Sequence, residues 1–346
     1  MKRCFLLALF FLLPTLCQAA EELFEIKPVA DGVYAAIAKP TYRVNSNTVI
    51  ILLGDGVLVV DANSTPSAAR SLIEQIKKLT PKPVKYVVNT HFHWDHSQGN
   101  EAYLSAWPAG VEIISSEATR ANIQQLGIPR WKHEIFAMPQ EIEQLKSDLQ
   151  KASSAEQKKS IQKKLAEAEA YFAELKNIQI TLPTMTVDRR LILHGHSRTV
   201  EILWLGRAHT DGDLFVFLPA EKVLATGDAL HGWTPTMRDS YPHEWIQTLD
   251  AAEKFDFEYV IGGHLEVMHG KQKFELWKQY FRDLLERTTA AYVEGATMEE
   301  AKKRVSEFLT AKYADKFDHF LRMLLVTWQR LIRGVLQTLN GGHSVP

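Results

Sequence analysis

From Leu23 to Val60, short apolar and β-branched runs read as antiparallel strands over 33–38, 48–53 and 57–60. The last two are joined by a Gly54-Asp55-Gly56 turn, and Asp61 ends the third. The period then changes. Ala69, Leu72, Ile73, Ile76 and Leu79 fall three and four apart, which predicts a helix over 67–79. Pro81 and Pro83 end it, and Tyr86-Val87-Val88-Asn89-Thr90 is strand-like again. A strand, a crossover helix and a strand in that order predict an α/β layer fold.

Residues 139–177 differ in character. Lysine, glutamate, glutamine and alanine dominate, with no glycine and only Pro139 at the start. Ile142, Leu145, Leu149 and Ala152 form one apolar stripe, and Ile161, Leu165, Ala168, Phe172 and Leu175 form another, so two helices in a hairpin are expected. The hairpin is an insertion that serves as a lid, a partner surface or a plain solvated excursion. Strands are expected again over 179–182, 190–194, 199–205, 214–218, 223–226 and 259–261. From Lys271 to the end the pattern is helical, with a capping box at Thr297-Met298-Glu299-Glu300. Residues 321–339 are strongly apolar, but Arg322, Arg330 and Arg333 interrupt them. A packed terminal helix or a homodimer contact fits better than a stable membrane span.

Lys2, Arg3, an apolar run from Phe5 to Leu13 and the small residues Ala19 and Ala20 have the layout of a secretory signal peptide over 1–19. A lipid anchor on Cys17 fits less well, because bulky Leu16 precedes it. The expected organisation is a leader, a catalytic domain over 20–270 and a helical extension over 271–346, in a periplasmic or secreted protein. Cleavage would remove both cysteines, Cys4 and Cys17, leaving neither disulfide nor thiolate ligand. It would also move the formal net charge from −1 to −3. That is a poor match to a nucleic-acid binder.

With thiolates gone, a metal site must rest on histidine and carboxylate. Residues 91–96 read His-Phe-His-Trp-Asp-His and begin where a strand ends. His91 and His93 would share one side of extended backbone, with Asp95 and His96 next. Three more strand ends carry such residues: His209 after Gly206, Asp228 after Gly227, and His264 after Gly262-Gly263. Ligands of α/β sheets gather at the carboxyl ends of strands. Seven side chains then converge, His91, His93, Asp95, His96, His209, Asp228 and His264, more than one tetrahedral zinc needs. Two metals would use them, and the two oxygens of Asp228 can span both. Among the other histidines, His231 is near enough to Asp228 to reach the pocket. His194 and His196 read as surface turn, and His133, His269, His319 and His343 lack a strand end. Trp233, Arg238, Tyr241 and Trp245, with Trp107 and Trp131, are candidate pocket walls or simple loop packing.

These motifs, Asp61, His91-x-His93-x-Asp95-His96, His209, Asp228 and His264, resemble those of the metallo-β-lactamase superfamily in order and strand context. The resemblance covers about 23–270 apart from the insert. It implies a four-layer αβ/βα sandwich with the site at one edge between two sheets. It also implies that His91, His93 and His209 hold one metal, that Asp95, His96 and His264 hold a second, that Asp228 bridges, and that Asp61 supports the ligand loop. The cofactor expected is two zinc ions per chain, with iron as the other possibility. Antibiotic-degrading branches commonly carry cysteine or serine near the Asp228 position, whereas Asp is typical of thioesterase, lactonase and phosphodiesterase branches. The export signal points back toward the antibiotic-degrading ones. The expected activity is hydrolysis of a small lactam, lactone, ester or thioester, with Asp95 catalytic as holder and proton shuttle of the attacking water. The alternative is a mononuclear iron enzyme of persulfide-dioxygenase type, using His91, His93 or His209 with Asp228.

Overall fold

The computed structural model describes residues 22–41, 43–318 and 320. Two mixed sheets face each other. The first runs β1 (Phe24–Ala30), β2 (Val33–Ala38), β3 (Thr48–Leu52), β4 (Val57–Val60), β5 (Val84–Val88), β6 (Glu112–Ser116) and β7 (Met185–Val187) in spatial as in chain order. It is antiparallel up to β4 and parallel from there to β7. The second contains β8 (Arg190–His194), β9 (Thr199–Trp204), β10 (Leu214–Leu218), β11 (Val223–Gly227), β12 (Tyr259–Gly262) and β13 (Met268–His269), with only β11 and β12 parallel.

The inner strands β3, β4, β10 and β11 are apolar on both faces because both faces are buried. Val33, Ala35, Val49, Ile51, Leu58 and Val60 point inward against Ile202, Leu214, Val216 and Leu218 of the second sheet. Their neighbours Ala36, Ile50, Val57 and Val59 point outward onto the helix Pro66–Leu79 through its Ala69, Leu72, Ile73 and Ile76. Phe215 and Phe217 turn the other way, onto Trp245 of the helix Pro242–Ala252 and Trp277 and Phe281 of the helix Gln272–Val293. A helix layer, two sheets and a second helix layer make up the expected αβ/βα sandwich. A one-residue slip in any strand would exchange its two apolar sets.

The insert starts earlier than its composition suggests. Its helices are Ile128–Lys151 and Ala155–Leu175, with Pro139 inside the first. Proline reads as a helix start, yet Trp131, Ile135, Met138 and Ile142 carry the apolar stripe across it into a small core with Ala168, Tyr171 and Leu175. Residues 179–182 are not the expected strand. Asn100 Nδ2 donates to the Thr181 carbonyl at 3.0 Å, and ladder pairing begins only at Met185, opposite Ile114. The capping box at Thr297 and Glu300 is formed and opens the helix Met298–Tyr313. The leader and residues 321–339 lie outside the described residues, among which no helix is long and apolar enough to cross a membrane.

The carboxyl ends of β4 and β5 meet those of β11 and β12 at one edge, where backbone bonds tie the sheets together. Leu214 N donates to the Thr90 carbonyl at 2.8 Å, and Asn47 N to that of Gly263 at 2.7 Å. The segment after β5 is fastened to the one after β4 by Ala62 N to the His96 carbonyl at 2.9 Å and Gly99 N to that of Asn63 at 3.1 Å. A Cβ on Gly99 would collide with the Ala62 carbonyl oxygen, which is backbone and cannot swing away. Gly99→Ala should therefore cost about 2 kcal/mol or more in urea unfolding; an unchanged midpoint would show that the two segments are free to separate.

Candidate metal centre

The seven strand-end side chains converge in two groups. His91, His93, His209 and Asp228 offer ligand atoms within 4.8 Å of one another, and so do Asp95, His96 and His264. Asp228 faces both. Its Oδ2 lies 3.6 Å from His209 Nε2, while Oδ1 lies 3.5 Å from His96 Nε2 and 3.4 Å from His264 Nε2. Asp95 Oδ2 is 3.4 Å from His96 Nε2 and from His264 Nε2.

The outward nitrogen of four of the five imidazoles has an acceptor. His96 Nδ1 donates to Asp61 Oδ2 at 2.8 Å, His93 Nε2 to Asp239 Oδ2 at 3.0 Å, and His209 Nδ1 to the Thr236 carbonyl at 3.2 Å. Thr90 Oγ1 donates to Asp61 Oδ2 at 2.9 Å, so it can accept His91 Nδ1–H at 3.1 Å. Those bonds fix the tautomers and turn the remaining lone pairs inward. His264 is held differently, its ring stacked on Trp233 at 4.1 Å.

The inward atoms are fit for a cation. His93 Nδ1 lies 3.0 Å from His91 Nε2 and 2.9 Å from His209 Nε2, near the ~3.3 Å edge of a tetrahedron with zinc–nitrogen bonds of about 2.0 Å. Three nitrogen lone pairs at that spacing repel unless positive charge lies between them. His96 Nε2 and Asp228 Oδ1 are buried without a hydrogen-bond partner. Such orphaned atoms cost free energy unless something coordinates them.

Electrostatics separates the groups. Burial and the neighbouring His96, His93 and His209 push His91 well below its ordinary value, and burial with His93 brings His209 down to about 3. Both are neutral donors. In the second group burial is overcome by carboxylates: Asp61, Asp95 and Asp228 hold His96 well above its usual range, and Asp228 and Asp95 raise His264 to about 9. Burial opposes ionisation of Asp95, but His96 and His264 keep its carboxyl below the carboxylate range. Three acids around this group demand positive charge.

Local backbone makes room for these contacts. Asp61 adopts φ 70° and receives Thr90 N on Oδ1 at 2.8 Å, joining the ends of β4 and β5. A side chain on Gly263 would strike Asp228 Oδ1. Asp213 braces the turn bearing His209, accepting Thr210 N at 2.7 Å.

Residues 41–264, well over half of the chain, match the family model for the metallo-beta-lactamase superfamily. The chain belongs to this superfamily. A linear primary-alkylsulfatase of Pseudomonas sp. (strain ATCC 19151) is 22% identical over 262 residues, 70% of this chain and 45% of the relative. The chain thus spans a little under half the length of that curated protein. Among solved structures, a metallo-beta-lactamase from Pontibacter korlensis superposes with a TM-score of 0.55 at 16% identity, covering 75% of this chain and 99% of its own. FIM-1 from Pseudomonas aeruginosa, in its mono-zinc form, gives 0.53 at 18% identity, with 75% and 95% covered. At these identities the likeness is one of fold.

The superfamily motifs were legible in sequence, but several supports were not. Asp239, Thr236 and Arg130 carried no motif, and Asp239 lies 146 positions from its partner His93. Two of the tryptophans follow the packing alternative: Trp245 is fully buried in the core, and Trp233 backs His264. His231 is buried, with its ring 5.5 Å from that of His264, whereas His194, His196 and His269 are exposed. His133 is exposed and lines the cavity beside the site. His319 and His343 fall outside the described residues. Asp61→Asn should weaken zinc binding about 10–100-fold in chelator competition with an unchanged circular dichroism spectrum; wild-type affinity would remove Asp61 from the site.

Proposed function

We propose that the chain is an exported two-zinc hydrolase that cleaves a lactam, lactone, ester or thioester bond in an amphipathic, anionic small molecule. His91, His93 and His209 would hold one ion, Asp95, His96 and His264 the other, and Asp228 both. The observation that carries this reading is the placement of Asp228, which presents one oxygen to each group. A single iron on the first group, as in a dioxygenase, would leave the second without a task.

Zinc there would supply Lewis-acid polarisation and a water acidified from 15.7 toward about 7. The chain's own residues do the rest. His93 and Asp95 belong to the ligand groups and also line a cavity of about 690 Å³, so the substrate enters from that side. Asp95, kept ionised by His96 and His264, accepts the proton of the attacking water and returns it to the leaving group. Phe92, Trp94 and Trp131 give the cavity an apolar wall, while Arg238 and the ion-paired Arg43 add cationic groups to it. An apolar body with a negative group matches such a wall.

A carbonyl centre, as in a lactam, lactone, ester or thioester, is the first reading of the scissile bond. A sulfate ester is the second, supported by the arginines beside an aromatic wall and by the alkylsulfatase relative. Export rests on the leader at 1–19, and intact-mass analysis of native protein should find an N-terminus near Ala20.

Zinc-loaded protein should hydrolyse at least one member of a panel containing a β-lactam, a lactone, a thioester and a medium-chain alkyl sulfate. Chelation should abolish turnover and added zinc restore it. Asp95→Asn should lower kcat at least ~100-fold with KM little changed. No turnover of any panel member by protein holding two zincs would overturn the proposed substrate class.

A further inference from the structure

Among the residues of the helical insert, Arg130 is hydrogen-bonded to a support of the metal centre. Arg130, in the first turns of the helix Ile128–Lys151, grips Asp239 with both guanidinium arms, Nη1 to Oδ2 at 2.7 Å and Nη2 to Oδ1 at 2.8 Å. The same Oδ2 accepts His93 Nε2 at 3.0 Å. The Asp239 side chain is only 4% exposed and that of Arg130 26%, so the pair is partly shielded from water. Arg130 itself lies over the Phe92 ring at 5.3 Å, within the ligand segment.

Asp239 belongs to a stretch that orients three of the five imidazoles. Trp233 stacks on His264, the Thr236 carbonyl receives His209, and Asp239 receives His93. Nothing in 233–239 forms a helix or a strand of its own, so its shape must be imposed from outside. The C-terminal extension supplies one hold, with Thr234 N donating to the Asp318 carbonyl at 3.3 Å in a parallel bridge between Trp233 and Asp318. Met237, buried in the core beside Trp245, supplies a second, and the insert a third, through Arg130. A bidentate guanidinium fixes the plane of a carboxylate as well as its position, which an ammonium cannot do.

We propose that Arg130 is a positioning residue for the first metal subsite: by fixing Asp239 it sets the orientation of His93, which makes the helical insert a working part of the metal centre. This rests on the two-zinc reading above. Loosening Arg130 then weakens one metal far more than the other, because Arg130 acts directly on Asp239, the partner of His93, and reaches His264 only through Trp233 farther along the stretch.

The test uses the full chain, stripped of metal and titrated with zinc against a chromophoric chelator, with melting of the metal-free protein recorded alongside. Wild type should show two binding steps. Arg130→Met, which keeps the apolar packing on Phe92, should weaken one step about 10–100-fold and leave the other and the metal-free melting temperature nearly unchanged. Arg130→Lys should lose less, and combining Arg130→Met with Asp239→Asn should add little to Asp239→Asn alone, since both act on one relay. Wild-type affinity at both steps in whichever Arg130 variant folds overturns the proposal. So does parallel weakening of both steps with a fall in the metal-free melting temperature, which is plain loss of stability. A raised KM at unchanged zinc affinity would also overturn it and make Arg130 a substrate contact. Wild type that binds no zinc would instead sink the reading of the site itself.

Discussion

The arrangement depends on mutual repulsion held in check. Five imidazoles and the carboxylates of Asp95 and Asp228 are packed into a buried volume in which ligand atoms of each group lie within 4.8 Å. Ring nitrogens of the first group lie 2.9–3.0 Å from one another, while the second sets His96 and His264 among the carboxylates of Asp61, Asp95 and Asp228. A chain does not bury such groups without compensation. Divalent cations would relieve both problems at once, and the rest of the molecule keeps the groups from relaxing apart.

That holding is distributed. The sandwich brings the carboxyl ends of β4, β5, β11 and β12 to one edge, and backbone bonds stitch the sheets there. Asp61 anchors the ligand loop from beneath. The stretch 233–239 orients His93, His209 and His264 from above, and the insert and the C-terminal extension grip that stretch from two sides. Catalytic centres need supports of this sort, because ligand orientation tolerates only small errors.

Much of this was legible in the chain. Apolar runs of four to six residues fix the strands, since strands buried on both faces must be apolar throughout. Strand-end histidines beside glycine mark the site because only sharply turning backbone lets ligands converge. The supports were hidden for a physical reason. Arg130 and Asp239 are 109 positions apart, one outside the apolar stripe of its helix and the other in a stretch with no element of its own, and they meet only after the insert folds back over the edge. The insert's start was hidden as well, because a proline inside a helix looks like its beginning. Side-chain pairing across long separations leaves no local pattern to read.

Anomalous diffraction at the zinc edge, on crystals of the zinc-loaded full chain, tests the centre most directly. Two peaks are expected, roughly 3.5–4 Å apart, one among His91, His93 and His209, the other among Asp95, His96 and His264, with Asp228 between them. A single peak at full loading, or peaks ligated by other residues, would contradict the two-metal centre.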